Sequence, residues 1–166
     1  DYPAYYPNKR VAFEFNGESF GAFNKALEGY ARETVQSLSY QPIPTVAKGY
    51  YEVGTHKIVM NSRLTDSEKA KTLIHELAHA KMHGENSPYK DTTTREQEMQ
   101  AEMTAYVVAK SFGLDPADES IHYVANWTGK FAEIDDVERN LAAIQKTARE
   151  MIQGIDTHYG LELEKE

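Results

Sequence analysis

Cysteine is absent from the 166-residue chain, which rules out disulfides and thiolate metal sites and fits a cytosolic setting. Also missing is any apolar run approaching the roughly 18 residues of a membrane span, and no signal-peptide pattern is visible. The expected location is cytoplasmic, with no membrane partner. Basic residues are in short supply: 18 Lys and Arg stand against 26 Asp and Glu, for a formal net charge of −8. Phosphate backbones are held by clustered Lys and Arg, so no nucleic-acid contact is expected through this segment. No long run of like charge, internal repeat, linker or second compositional block interrupts the chain. Residues 1–166 read as a single domain, long enough to bury a core without staples. The chain opens on Asp1 rather than Met, as expected of an excised domain or a processed product.

What is present is concentrated in residues 72–84, TLIHELAHAKMHG, which contain His75-Glu76-Leu77-Ala78-His79. Helical residues four apart stack on one face, about 6 Å apart along the axis, so two imidazoles so placed can converge on one metal ion. Glu76, about 100° round the helix, can flank the same site and take a proton from a metal-activated water. Two His ligands and a Glu base make up the HExxH arrangement of zinc peptidases. The helix is well signalled. Thr65-Asp66-Ser67-Glu68 reads as a capping box, Ala70, Leu73, Ile74, Leu77 and Ala78 form an apolar stripe beside the two His, and Gly84 suits the position after the end. Upstream, residues 50–61 have the composition of a hairpin turning at Gly54-Thr55.

Two His and an open water position leave zinc one protein ligand short. The candidate lies in a helix opening at Thr94-Arg95-Glu96-Gln97 and stopping at Gly113, with Ala101, Ala105, Val108, Ala109 and Phe112 inward. Glu98 and Glu102 share one face, so Glu98 is read as the third ligand. Glu102, one turn on, is read as the acceptor for the other ring N–H of a liganding His. The alternative is an acidic solvent face, against which the small Ala101 and Ala105 speak, since they allow another helix to approach. Zinc is the expected ion, though nitrogen and oxygen ligands also accept manganese.

HELAHAKMHG, followed by ExxAE at 98–102 and AYVVAKSFGLD at 105–115, resembles the ImmA/IrrE-like zinc metallopeptidase domains. It looks closest to the C-terminal domains of ArdC antirestriction proteins and the LtrC-like proteins of conjugative elements. The resemblance covers about residues 50–127. It implies a compact, mostly helical α+β zincin-like fold, with His75, His79 and Glu98 as ligands and Glu76 as base. It also implies a mobile-element setting. Two departures favour the ArdC/LtrC-like branch: Glu102 stands where Asn or Asp commonly follows the Ala, and Ser111-Phe112-Gly113-Leu114 replaces a common Met-Pro.

Elsewhere, residues 1–8 read as an irregular arm, 10–15 as a short strand and 20–38 as a helix with the stripe Phe20, Phe23, Leu27, Tyr30, Ala31, Thr34 and Leu38. Residues 85–94 form a polar loop near the cleft. Short helices are expected from Asp115-Pro116 and over 120–127. A long helix opens at Asp135-Asp136-Val137-Glu138 on the stripe Val137, Leu141, Ile144, Ala148, Met151 or Ile152, and Ile155, with 160–166 frayed. The expected fold is thus α+β, helices around a small antiparallel sheet.

The chemistry so implied is peptide hydrolysis of a protein substrate or regulator. A developing oxyanion needs a further donor, for which Tyr123, His122 and Tyr106 are candidates in that order. An extended substrate is expected to pair with an exposed edge at 56–60, through Ile58, Val59 and Met60. His83 continues the row of His75 and His79. Its rise of about 12 Å from His75 is too great for one ion, and it reads as a rim or packing residue or, failing that, an outer partner of the ligands. Two other classes compete, a zinc-stabilised binding module and an acidic nucleic-acid mimic. A retained Glu76 speaks against the first, and an ordinary 27% of charged residues of mixed sign against the second.

Overall fold

A computed structural model describes residues 17–90, 92–114 and 137–165. The first helix, α1 (Gly17–Thr34), buries Phe23, Leu27, Tyr30 and Ala31. It stops four residues earlier than its stripe suggests, because residues 37–41 are claimed by a sheet. Strand β1 (Ser37–Gln41) alternates exposed Ser and Gln with half-buried Leu38 and Tyr40, the period-2 pattern of a half-buried strand. A hairpin follows, β2 (Gly49–Glu52) and β3 (Lys57–Asn61), antiparallel and turning where expected.

The sheet order is β1-β3-β2, with β1 parallel to β3. The sheet is therefore mixed rather than antiparallel, and β3 is its centre. This corrects the expected substrate edge. Ile58, Val59 and Met60 are at most 1% exposed and their strand is paired on both sides, so no backbone groups are left for a substrate. The hairpin tip is fastened by His56, whose φ of 51° lies in the left-handed region that costs a residue with a Cβ roughly 1–2 kcal/mol. Its ring offsets that cost, with Nδ1 2.6 Å from the Tyr51 hydroxyl and Nε2 2.8 Å from the Thr34 carbonyl.

Helix α2 (Asp66–His83) begins at the expected capping box. Glu68 N–H donates to Thr65 Oγ1 at 3.2 Å and Thr65 N–H to Glu68 Oε1 at 3.0 Å. At its end Gly84 is extended (φ −68°, ψ 163°), not left-handed. A side chain there is excluded instead by close approach, since a Cβ would lie 2.9 Å from the Ala80 carbonyl oxygen. Helix α3 (Thr94–Ser111) is capped by Thr93, one residue before the expected start. It closes at Gly113, whose φ of 80° is the left-handed turn expected there.

Helix α4 (Val137–Glu164) buries Asn140, Ala143, Ile144, Ala148, Met151, Ile152, Ile155 and Tyr159. Leu141 is 38% exposed, off the expected face, and the helix runs on through the charged residues expected to fray. The core joins the four helices of the described residues, with the Phe23 ring of α1 centred 5.2 Å from that of Phe112 and 6.0 Å from that of Tyr159. Ala70, Leu73, Ile74, Leu77 and Ala78 of α2 are essentially buried in it. Truncating one such Leu typically costs about 2–5 kcal/mol, so α2 is anchored by its apolar stripe and displays the two His at the core's margin. The result is an α+β fold, mostly helical with a small mixed sheet. Among the described residues no helix is long and apolar enough to cross a membrane. The expected arm at 1–8, strand at 10–15 and short helices from 115 to 127 lie outside the described residues.

Candidate metal centre

His75 and His79 stack one turn apart on α2, their ring centroids 4.8 Å apart. Facing them, Ala101 of α3 is fully buried, and this small side chain lets α3 approach closely enough to bring Glu98 across. Glu98 Oε1 lies 3.0 Å from His79 Nε2, and Oε2 lies 3.9 Å from His75 Nε2. One ligand atom from each of the three residues lies within 4.8 Å of the others. The Nδ1 atoms point away and are engaged elsewhere. Glu102 Oε2 is 3.2 Å from His75 Nδ1, as expected of an acceptor for its ring N–H. Two imidazole nitrogens and a carboxylate, with both Nδ1 atoms occupied, fit the three-ligand complement of an open zinc site.

The electrostatics agree with that use. Hydrogen bonding to His79 holds the Glu98 carboxyl below its ordinary range, against the opposing effect of burial. Burial disfavours a charged His75, but the Glu102 hydrogen bond and the charges of Glu76, Glu102 and Glu98 outweigh it and raise its pKa. Glu76 is 8% exposed. Burial pushes its pKa up, the neighbouring His75 and His79 opposing. All these residues except Glu102 open on a cleft of about 340 Å³, whose wall includes Tyr50, Tyr51 and Val53 beside the hairpin and Gln97 of α3.

His83 stands outside the three-residue cluster and packs behind His79, where it lines the inner part of the cleft. It is 5% exposed, with Nδ1 2.9 Å from His79 Nδ1 and Nε2 2.8 Å from Gln100 Oε1. Burial first of all pulls its pKa down to about 4, so the ring is neutral. The Gln100 amide in turn donates to Asn140 Oδ1 of α4 at 2.6 Å. Gln100 and Asn140 were not singled out in the sequence. The available signal was a polar residue at an inward position of each helix, Gln100 beside Ala101 and Asn140 ahead of Ala143 and Ile144. Tyr106 is half-buried on α3 and does not line the cleft. Tyr123 and His122 lie outside the described residues.

Comparison with known proteins agrees with this geometry. The peptidase M78 family, described as an IrrE N-terminal-like domain, matches residues 18–125, a span that includes α1 to α3 and every residue of the cluster on α2 and α3. An uncharacterized protein of Bacillus anthracis is 30% identical over 94% of this chain, which spans 28% of that protein's length. No solved structure matches. With the family matched over more than half of its length and the His-Glu cluster assembled inside the matched span, the chain belongs to the IrrE N-terminal-like family of M78 peptidases.

Proposed function

We propose that this domain is a zinc-dependent peptidase that cuts a selective protein substrate, with His75, His79 and Glu98 holding one ion and Glu76 serving as general base. The observation that carries the reading is the setting of Glu76. It is a buried carboxylate beside two imidazoles, open to the cleft, with a raised pKa. A base is most effective when its pKa approaches the working pH, which is the direction burial moves this one. When bound, zinc supplies Lewis acidity that makes water more acidic and polarises a carbonyl. Glu76 then takes the proton of the attacking water and hands it to the leaving amine. Glu102 and His83 keep the two imidazoles turned with Nε2 toward Glu98. Manganese is the alternative ion for such a donor set.

The substrate edge belongs to β2 rather than β3. One side of β2 is paired with β3, and among the described strands its other side is open. Gly49, Tyr50 and Tyr51 of this strand line the cleft. An extended peptide adding to that edge gains backbone hydrogen bonds next to the cluster. A net charge of −8 favours a protein over a nucleic acid as partner. The resemblance to ArdC and LtrC-like proteins favours a cytoplasmic regulator encoded on the same mobile element.

Glu76→Gln tests the reading. It should retain zinc and fold, capture the substrate protein without cutting it, and lower the cleavage rate at least 100-fold, near the value of general-base assistance. Equal activity of wild type and variant, both fully zinc-loaded, would leave a zinc-stabilised binding module in place of an enzyme.

A further inference from the structure

The row of hydrogen bonds running from His79 through His83 and Gln100 to Asn140 crosses from α2 to α3 to α4. Its three outer members are buried, His83 being 5%, Gln100 2% and Asn140 2% exposed. Buried polar atoms must find partners within the protein, so each proton in the row has a definite place. Nε2 of His79 is the nitrogen beside Glu98, and to hold a metal it must present its lone pair there. The proton of neutral His79 then sits on Nδ1, which donates to His83 Nδ1 across 2.9 Å. His83 consequently carries its own proton on Nε2 and donates it to Gln100 Oε1 at 2.8 Å. That fixes the Gln100 amide, whose nitrogen donates to Asn140 Oδ1 at 2.6 Å.

The reverse order has the opposite outcome. With Gln100 turned over, its nitrogen would donate to His83 Nε2, His83 would donate from Nδ1 to His79, and the His79 proton would move to Nε2. There it would block the metal. The direction of one buried amide therefore biases His79 toward or away from the tautomer that can be a ligand.

We propose that Gln100 and Asn140 are positioning residues of the metal centre, which hold His83 and through it His79 in the tautomer that binds the ion. Asn140 lies beyond the 18–125 span of the family match, so α4 is part of the metal-binding unit rather than a separate prop. The proposal rests on the reading of His79 as a ligand, and its test separates the two.

The experiment uses the full 166-residue chain and zinc, with affinity measured by competition against a calibrated chelator. Asn140→Leu and Gln100→Leu remove the acceptors and should each weaken zinc about tenfold, at the low end for outer partners of metal ligands. Asn140→Asp and Gln100→Glu keep an acceptor at each point and should restore affinity toward wild type, even if burying a carboxylate lowers their melting temperatures. Nitrogen-15 NMR of the zinc-loaded wild type should show His83 protonated on Nε2 alone, a signature that mere packing does not require. Wild-type protein that takes up no zinc overturns both the metal site and this relay. Zinc-tight wild type with Leu variants of equal affinity, or with His83 protonated on Nδ1, overturns the relay and leaves the site standing.

Discussion

Gly154 lets α4 lie against the Tyr30 ring of α1, and replacing it with Ala opposes two effects of known size. Ala is the better helix former by about 1 kcal/mol. Against that, the added Cβ would lie 2.1 Å from Tyr30 Cε1, 2.5 Å from Cδ1 and 3.0 Å from Cζ. Carbon atoms rest at about 3.5–4.0 Å, so the ring would have to retreat by more than an ångström. It has little room to do so. Tyr30 is 8% exposed, and the Lys81 ammonium sits 5.8 Å from its centroid while paired to Glu150 of α4 at 3.4 Å. Overpacking of this kind costs about 1–3 kcal/mol and more in severe cases. The clash should win by up to about 2 kcal/mol, a fall in melting temperature of up to about 8 °C for a chain of this length. Gly29→Ala is the control. Its Cβ would lie 2.8 Å from His158 Nδ1, but that ring is 21% exposed and gives up a pairing with a Glu33 that is 62% exposed and a distant edge contact with Tyr30, 6.5 Å between centroids. Such surface pairs contribute about 0–1 kcal/mol, so Gly29→Ala should be neutral or mildly stabilising. Thermal and urea unfolding of both variants decides. A Gly154→Ala protein as stable as Gly29→Ala would mean that the α1–α4 contact is looser than the packing of Tyr30 implies.

Two further outcomes follow from the site. Glu102→Gln removes the charge facing His75 Nδ1 while keeping an acceptor, and should weaken zinc about 10–100-fold with the fold intact; unchanged affinity would return Glu102 to a solvated role. His83, with its pKa lowered to about 4, stays neutral in the fold while the unfolded chain binds a proton below about 6.5. The unfolded state holds more protons in that window, so this contribution to stability is complete above about pH 6.5 and is lost as pH falls toward 4. In metal-free protein, His83→Gln should flatten the fall of the urea midpoint between those values, and parallel curves would refute the assignment.

The parts of this molecule that were legible in the sequence are those set by local geometry. His75, Glu76 and His79 follow from helical stacking, Thr65 and Glu68 from capping chemistry, and Glu98 with Glu102 from their shared face on α3. Long-range pairing was not legible. Ser37–Gln41 carries a strand's alternation, yet Leu38 also continues the stripe of α1, and only pairing with β3 settles the matter. The same pairing buries β3, which alone looks like an edge. For His83 the rise along the helix places it apart from the cluster of His75, His79 and Glu98. What makes it a partner of His79 is burial under α3 and α4, a consequence of packing between segments distant in the chain. Gln100 and Asn140 are 40 residues apart, and no spacing rule connects them.

The fastening of the hairpin at His56 has a mechanical consequence. One ring ties Tyr51, a wall residue of the cleft, to the last turn of α1, and the His56 carbonyl accepts from Gln36 N–H at 2.7 Å. The hairpin side of the cleft is thus bolted to the helical body at its tip as well as along its length, and behaves as a fixed jaw rather than a flap. If the cleft takes a polypeptide as proposed, that polypeptide must already be extended when it arrives, for a fixed wall does not close around it. Discrimination would then fall on the target's own looseness, favouring, among proteins of equal sequence at the cut, the one whose segment spends the most time unfurled.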